Sequence, residues 1–406
     1  METERTLRAG AQKVARVLRG AGHQAFFAGG SVRDLLLGEQ PKDYDVVTDA
    51  RPERIAQLFR RTRMIGAAFG VVQVRIDRHA YEVATFRADG SYTDGRRPES
   101  VRYADTLEED VARRDFTINA LLMNPESDEV IDVVGGRADL EAGLVRAVGE
   151  PDRRFAEDRL RMLRAIRFAA RFGFELESDT LAAVKRHAAE VWDVSVERIV
   201  IEVDGVLDSA FPERGLTLMD ETGLASSALP FLPRGPEARS NVLARLVEHG
   251  AWRVLPEPER IHCAWAILLG ELSPDEAERA LRSMRASRER VRACRTLLER
   301  RETLRRAAPA LDLLRMAADE SVPTLQAYAE ALGARDGYRA LEDAVRSLRT
   351  DPLPPRPLLS GRELQAMGLS PGPAFKALLA GVDEQVLQRR IRTRAEAEAW
   401  VKERLS

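Results

Sequence analysis

The strongest constraint on the fold is a change of sequence pattern near Glu150. Between Gln24 and about Asp132, short β-type runs alternate with helical ones. Beyond Glu150, strand patterns nearly vanish and apolar residues recur about every 3.6 positions. The first part predicts strands in QAFFA, DYDVV, VVQVRI, YEVATF and EVIDVV, with helices after Gly30, Pro52 and Asp115. The chain is therefore predicted to be multidomain, with an α+β part of mixed sheet and helices first and an all-α part afterwards.

Helix limits can also be predicted at the start of the chain and inside the helical part. Leu7, Ala11, Val14 and Leu18 recur at helical spacing, which predicts an amphipathic opening helix. Three stretches rich in proline and glycine are predicted to interrupt the helical part, namely 228–240, 252–260 and 351–363.

The charge of the chain is balanced. Its 406 residues include 63 lysines and arginines against 65 aspartates and glutamates, a formal charge of −2. Any surface for nucleic acid must therefore be local. One candidate is the segment from Arg282 to Arg306, in which ten arginines against three glutamates would follow a phosphate backbone. The alternative is a solvated helix face.

The cysteines and the apolar segments bear on the cellular compartment. Cys263 and Cys294 are too few for a disulfide framework or a zinc site, and the helical patterns around them predict buried thiols. The longest apolar stretch, near Cys263, is far shorter than the roughly 20 residues of a membrane span. The acidic start METE resembles neither a signal nor a transit sequence. We therefore expect a cytoplasmic protein with no membrane partner.

The segment FAGGSVRDLLLGEQPKDYDVVTDA, residues 27–50, carries the strongest chemical signal. A Gly-Gly-Ser turn at Gly30 would let backbone N–H groups approach a phosphate at the start of the next helix. Asp43 and Asp45 are separated by one residue in a β-type run, and alternation along a strand sends both carboxylates to one face. Such a pair suits Mg²⁺. The alternative for the two aspartates alone is a solvated strand edge.

Two further side chains complete a possible site for nucleotidyl transfer. Glu82 would supply a third carboxylate, or it is an exposed strand residue. Arg33 would reach an incoming triphosphate, or it pairs with Asp34. In nucleotidyl transfer one metal ion activates the attacking hydroxyl and a second holds the triphosphate, so two Mg²⁺ ions are expected. Asp43, Asp45 and Glu82 are the catalytic candidates, and Asp43 and Asp45 are the metal ligands.

The order of motifs resembles the class II tRNA nucleotidyltransferase and bacterial poly(A) polymerase family. The resemblance covers about residues 20–225 and rests on segment 27–50, RRDFTINALLMNP (113–125), EVIDVVGGRADLEAGLVRAVG (129–149) and FAEDRLRMLRAIRFAARFGFEL (155–176). It implies an α+β nucleotidyltransferase head at 1–148 and an all-α remainder. That remainder comprises a nucleobase-selecting neck at 149–235, an RNA-binding body at 236–350 and a tRNA-binding tail at 351–406.

The resemblance also implies roles for particular residues. It assigns Arg114 to the nucleotide, and Asp115 and Asn119 to ordering the sugar or the junction between head and neck. From its residue type, Asp115 is also expected to cap a helix that begins near Phe116. Segment 87–98 matches the family's flexible loop, which is associated with the switch from C to A addition. Its full length favours addition of CCA, or of the terminal A, over addition of CC alone.

Asp158, Arg161, Arg164 and Arg167 are spaced by three and are predicted to be neighbours along one helix. One interpretation is an ion-pair ladder on the helix surface. The other is that Asp158 and Arg161 select the base. Cytosine and adenine each present an amino donor beside a ring-nitrogen acceptor, which one carboxylate and one guanidinium satisfy. Uracil and guanine would leave buried polar groups unpaired. Arg164 and Arg167 would reinforce the pair or neutralise phosphate.

The predicted activity is template-independent addition of CCA, or of its terminal A, to the 3′ end of tRNA. CTP and ATP would be the substrates and pyrophosphate the product, and no DNA partner is expected. Two alternatives remain open from the sequence. One is a poly(A) polymerase acting on RNA 3′ ends, and the other is an inactive relative that binds RNA.

Overall fold

The structure is a computed structural model that describes residues 2–65, 70–88, 102–233, 236–306 and 309–405. The chain forms two compact units, Met1–Pro236 and Glu237–Ser406. Their boundary lies beside the predicted limit between neck and body, whereas the finer division into four parts stays a prediction. Residues 89–98 of the predicted flexible loop lie outside the described residues.

The first unit is built on a mixed sheet. The described strands are β1 Ala25–Ala28, β2 Asp45–Thr48, β3 Thr62–Ile65, β4 Val71–Ile76, β5 His79–Thr85, β6 Arg87–Ala88, β7 Arg102–Tyr103, β8 Leu122–Met123, β9 Val130–Ile131, β10 Leu144–Val145 and β11 Glu175–Leu176. Seven of them form one sheet in the order β3-β4-β5-β2-β1-β8-β9. In that sheet β2 and β5 pair in parallel and the other neighbours are antiparallel. β6 pairs with β7, and β10 pairs with β11.

Helices cover the sheet and then continue the first unit without it. They are α1 Glu2–Gly20, α2 Gly30–Leu36, α3 Pro52–Leu58, α4 Leu107–Ala112, α5 Gly136–Ala142, α6 Pro151–Glu157, α7 Leu160–Phe172, α8 Ser178–His187, α9 Val196–Leu207, α10 Pro212–Glu221 and α11 Leu224–Ala228. The predicted opening helix is confirmed, with Ala11, Val14 and Leu18 fully buried. A core cluster joins the sheet to α4, through Val47, Phe86, Leu107 and Val111 among others.

Two predicted elements are wrong in extent. The helix expected after Asp115 is a single 3₁₀ turn, Thr117–Asn119, because the chain enters β8 directly afterwards. The strand expected in EVIDVV ends at Ile131, because Asp132 binds the backbone of the turn that leads into α5. The Asp132 carboxylate accepts hydrogen bonds from the backbone N–H groups of Val134, Gly135, Gly136 and Arg137. Partial burial opposes ionisation, but these bonds hold the pKa of Asp132 below its usual value.

The second unit contains helices joined by turns and loops, and no strand among its described residues. Its helices are α12 Pro236–Glu248, α13 Glu259–Leu268, α14 Pro274–Ser283, α15 Arg288–Arg305, α16 Ala310–Asp319, α17 Val322–Ala331, α18 Arg335–Thr350, α19 Gly361–Ala366, α20 Pro373–Leu387 and α21 Arg394–Leu405. The three predicted interruptions are confirmed in position, since each stretch includes a break between consecutive α-helices, although its last residues already belong to the next helix. Cys263 and Cys294 are free and buried, as expected.

No helix within the described ranges is long and apolar enough to span a membrane.

Candidate active site

Asp43 and Asp45 emerge on one side of the sheet. Asp45 is the first residue of β2, whereas Asp43 precedes the strand, so the expectation that both lie within a strand is wrong for Asp43. Tyr44 between them is buried, with its ring centroid 5.1 Å from that of Phe27. Both aspartates are exposed. The burial of Tyr44 on one side leaves the two carboxylates together on the other.

Glu82 lies on the strand next to Asp45. Val46 of β2 pairs with Val83 of β5 in parallel, so the residues one position earlier, Asp45 and Glu82, share the opposite face. Within the described residues, no three His, Cys, Asp or Glu side chains are grouped so that they could hold a metal ion. Asp43 and Asp45 are therefore a pair of candidate ligands, and a metal-binding role for Glu82 stays a prediction.

The carboxylate of Asp45 is in a region of concentrated negative charge. Although Asp45 is exposed at the surface, the protein atoms around its carboxylate displace part of its water, and this is the first cause that raises the pKa of Asp45 to about 6. The charges of Asp43 and Glu82 add to the shift, while Arg114 opposes it. In the described part of the chain, no hydrogen bond or ion pair neutralises Asp43, Asp45 or Glu82. A divalent cation would relieve this repulsion, and the oxygen donors present are those that Mg²⁺ prefers. The residues therefore fit a metal ion.

The predicted glycine turn lies beside these acids. Gly29 has a φ of 67°, a conformation that favours glycine, and α2 begins at Gly30. A Cβ on Gly29 would lie 3.4 Å from Nη1 of Arg114. Arg114 is held there by the Asp110 carboxylate, at 3.0 Å, and by the Asn119 carbonyl, at 3.1 Å. Arg114 thus places a positive charge beside the turn and close enough to act on Asp45, while nucleotide contacts by Gly30 and Arg114 stay predictions.

Arg33 has the partner that the alternative interpretation gave it. Its side chain is 3% exposed and donates to Asp34 at 2.6 and 2.9 Å and to the side-chain oxygen of Asn119. Its guanidinium carbon lies 5.3 Å from the ring centroid of Phe168 and 4.7 Å from that of Phe172. A contact with triphosphate would require Arg33 to leave these partners, so that role stays a prediction.

Asp158 does not lie on the helix that carries the three arginines. It separates α6 from α7 in an extended conformation, with φ −150° and ψ 105°, which corrects the expectation of one continuous helix. One carboxylate oxygen accepts from the N–H of Leu160 at 3.0 Å, and the other accepts from Arg198 at 2.7 Å. The expected ladder therefore does not begin with an ion pair between Asp158 and Arg161.

Arg161 is fixed at the start of α7 by three acceptors, two from α6 and one from the residue that follows α4. It donates to the buried Glu157 carboxylate at 2.8 Å and to the carbonyls of Arg154 and Arg113, each at 3.1 Å. Its backbone N–H also donates to the carbonyl of Asp158 at 3.0 Å. The backbone therefore keeps Asp158 and Arg161 adjacent, although no ion pair joins their side chains.

Arg164 and Arg167 face inward toward buried carboxylates. Arg164 donates to Asp115 at 2.9 and 2.7 Å and lies 3.7 Å from Glu202, while Arg167 lies 2.6 Å from the other oxygen of Glu202. A Cβ at Gly205 would be 2.4 Å from Cδ of Arg167, so only glycine leaves room for this arginine. The roles predicted for Arg164 and Arg167 toward base or phosphate stay predictions.

These contacts continue into a chain of polar side chains that joins the sheet to α7 and α9. Asp115 also accepts from the side-chain nitrogen of Asn119 at 3.1 Å, and Asn119 accepts from Arg33. Burial opposes ionisation, but Arg164 and Asn119 hold the pKa of Asp115 below its usual value. We call this set the junction network; its members are Arg33, Asn119, Asp115, Arg164, Glu202 and Arg167.

Several residues that position the site were not found from the sequence. Glu157 lies four residues before Arg161, so helical ion-pair spacing could have indicated it. Glu202 and Arg198 on α9 meet α7 and Asp158 only after folding, and no local pattern indicates such contacts.

A mixed sheet with paired exposed carboxylates beside a glycine turn defines a nucleotidyltransferase head. The model of the poly A polymerase head domain matches residues 25–146, and that of the probable RNA and SrmB-binding site of polymerase A matches 173–234. The CCA-adding enzyme of Levilactobacillus brevis is 34% identical over 381 residues, which is 93% of each chain. That of Streptococcus gordonii is 34% identical over 401 residues, or 96% of each. This chain belongs to the CCA-adding enzyme family.

Solved structures agree with this assignment. The crystal structure of the Bacillus stearothermophilus CCA-adding enzyme in complex with CTP has a TM-score of 0.78 and 29% identity, over 98% of this chain and 97% of that one. The Thermotoga maritima enzyme complexed with tRNA has a TM-score of 0.71 at 20% identity, over 98% and 95%, which supports the fold alone. Nucleotidyltransferases of this family use divalent metal ions.

The raised pKa of Asp45 gives a direct test of the acid arrangement. We expect carbon-13 NMR titration of the metal-free protein to give Asp45 a pKa of about 6. Asp43→Asn and Glu82→Gln should each lower it by removing a like charge, and Arg114→Gln should raise it. Metal affinity should weaken as the pH falls through about 6, because protonation removes a ligand. An unchanged pKa in Glu82→Gln would show that Glu82 is too distant to act on Asp45.

The junction network predicts a large stability effect at Asp115. Asp115→Ala leaves Arg164 and Asn119 without their shared acceptor and should lower the free energy of unfolding by about 3 kcal/mol, measured by urea denaturation. Asp105→Ala, which removes the exposed partner of Arg51, is the matched control and should cost less than about 1 kcal/mol. Equal effects of the two substitutions would contradict a structural role for the network.

Proposed function

We propose that this chain adds CCA to the 3′ end of tRNA, using CTP and ATP and releasing pyrophosphate. The observation that carries the proposal is the 34% identity to a CCA-adding enzyme across 93% of both chains. The exposed pair of Asp43 and Asp45 supports it, because an inactive RNA-binding relative would not need this repulsive arrangement. The relatives' names favour this activity over poly(A) synthesis.

Asp43 and Asp45 are proposed to hold Mg²⁺, with two ions at the site. Bound there, the metal would lower the pKa of the attacking 3′ hydroxyl and stabilise charge on the triphosphate. Arg114, held against the turn at Gly29, adds a fixed positive charge on the same side. We propose that Arg114 pairs with oxygens of the triphosphate and that the backbone N–H of Gly30 approaches the same oxygens. Arg33 would bind phosphate only after its hydrogen bond to Asn119 is broken.

Asp158 and Arg161 are proposed to select the nucleobase, with Asp158 accepting from the amino group and Arg161 donating to the ring nitrogen. Each Asp158 oxygen already accepts one hydrogen bond, from Leu160 or Arg198, and retains capacity for a second. Glu157 and two carbonyls restrict the guanidinium of Arg161. Because both groups are held before substrate arrives, little ordering remains to oppose binding. Arg164 and Arg167 support this arrangement through the junction network.

The reaction is tested with tRNAs that end at the discriminator base, at C and at CC, with CTP and ATP supplied separately. We expect CMP to be added to the first two substrates and AMP to the third. AMP addition to the third alone would indicate an A-adding enzyme, and long AMP tracts on unrelated RNA a poly(A) polymerase.

The metal assignment is tested with variants in the same assay. Asp43→Ala and Asp45→Ala should each lower incorporation of both nucleotides by at least about 100-fold while tRNA binding persists, because a lost ligand affects the reaction and not distant RNA contacts. Asp105→Ala removes an exposed carboxylate of the same unit and should leave the rate within about twofold. Retention of more than a few per cent of activity in both aspartate variants would disprove the assignment.

The base-selection proposal makes a prediction about the wrong nucleotides. Asp158→Ala removes the acceptor that opposes a carbonyl, so discrimination against UTP and GTP should fall along with the rate for CTP and ATP. Arg198→Gln keeps the Asp158 acceptor and should lower the rate with the preference for C and A preserved. The measurement is kcat/KM for all four triphosphates on tRNA lacking CCA. An equal loss with all four nucleotides in Asp158→Ala would assign Asp158 to the metal or the triphosphate instead.

A further inference from the structure

Most arginines of the predicted RNA-binding segment 282–306 already have partners inside the second unit. The guanidinium of Arg295 lies 2.7 Å from a carboxylate oxygen of Asp275 and 2.7 Å from one of Glu278. The guanidinium of Arg300 lies 2.8 Å from a carboxylate oxygen of Glu320. Other paired members are Arg282 with Glu278, Arg301 with the carbonyl of Leu272, and Arg305 and Arg306 with Glu302. Carboxylates already neutralise much of the positive charge here, so the segment attracts an RNA phosphate less than its number of arginines indicates.

A cavity elsewhere in the second unit is lined by charged and polar side chains for which the described residues supply no such partners. It has a volume of about 430 Å³, which is within the range of small-molecule sites, and lies where α17 turns into α18. The side chains that line it are His249, Glu330, Arg335, Tyr338, Arg339 and Glu342. In the described part of the chain, none of these six side chains has a hydrogen-bond or ion-pair partner. The polar groups around the cavity are therefore uncommitted.

The sequence places four of these side chains on one helical face. Arg335, Tyr338, Arg339 and Glu342 follow one another at intervals of three, one and three residues along α18. The two arginines lie one turn apart on that face, with the Tyr338 ring beside them in sequence. Arg346 and Arg349 on the same helix are exposed but do not line the cavity.

The mixed charge of the cavity restricts what could bind. Arg335 and Arg339 are balanced by Glu330 and Glu342, so an isolated anion would gain little net attraction. A nucleotide within an RNA chain satisfies all the groups at once. Its phosphate can pair with the guanidiniums, its base can stack on Tyr338, and its 2′ hydroxyl or amino group can donate to a carboxylate.

We propose that this cavity binds one unstacked nucleotide of an RNA substrate, remote from the reacting 3′ end. The proposal rests on the proposed function for the identity of the RNA, which is tRNA. In this proposal α18 contributes to the affinity for tRNA, whereas nucleotidyl transfer and selection of the incoming base take place in the first unit.

The test measures binding of tRNA lacking CCA to the full chain as a function of salt, together with steady-state kinetics. The double variant Arg335→Ala, Arg339→Ala should raise Kd about tenfold at about 0.1 M salt and reduce the slope of log K against log salt by about 1.5. Tyr338→Ala should raise Kd about tenfold, while Tyr338→Phe, which keeps the ring, should stay within about twofold. KM for tRNA should rise in the weakened variants, with kcat at saturating tRNA unchanged.

The matched control is Arg346→Ala, Arg349→Ala, which removes the same charge from the same helix outside the cavity. It should change Kd by less than about threefold. Similar losses in the two double variants would overturn the proposal, as would competition by millimolar inorganic phosphate with tRNA at the cavity. Failure of the proposed function is distinguishable, because the wild-type chain would then bind tRNA in a cavity-dependent way without extending it.

Discussion

The ion pair between Asp115 and Arg164 is the interaction on which the arrangement of the first unit depends. Asp115 follows the two arginines that come after α4, and Arg164 lies in the middle of α7, so their contact ties the sheet to the helices that follow it. Both groups are largely removed from water, and each would be costly without the other. Because Asn119, Arg33, Glu202 and Arg167 extend the contact on both sides, this polar chain fixes how α7 meets the sheet. The candidate base-selecting residues lie at the start of that same helix.

Aromatic rings pack against the arginines of the junction network. Phe168 packs edge-on against Phe116 at 5.7 Å and stacks with Phe172 at 6.2 Å. The guanidiniums of Arg33, Arg164 and Arg167 lie about 5 Å from the Phe168 ring centroid, at 5.3, 5.3 and 5.0 Å. Arginine can satisfy a carboxylate with its edge while its face covers a ring, which lysine cannot do. The arginines of α7 are thus part of a packed layer in addition to being charges.

The sequence predicts the fold where the signal is local. Periodicity indicates α1, β4 and β5, and the alternation around Tyr44 predicts that Asp43 and Asp45 share one side. Only the pairing of β2 with β5 brings Glu82 to the same face as Asp45. Prediction of helix and strand limits from the sequence fails where a single residue changes the direction of the backbone. Asp132 ends a strand by binding the backbone of the turn before α5, and Asp158 ends a helix although the helical sequence pattern continues through it. Arg198 and Glu202 could not be assigned, because only the packing of α9 on α7 brings them to Asp158 and Arg167.

The extended conformation of Asp158 separates α6 from α7, so α6 can change in length without rotating α7. Along an unbroken helix, inserting one residue rotates everything beyond it by about 100°, so every downstream side chain would face a new direction. The break makes the angular phase of α7 independent of the length of α6. Residues can be gained or lost before Asp158 without turning Arg161, Arg164 and Arg167 away from Glu157, Asp115 and Glu202, provided that Glu157 keeps its place beside the break. The break at Asp158 thus allows α6 to change in length while the three arginines of α7 keep their orientation toward their carboxylate partners.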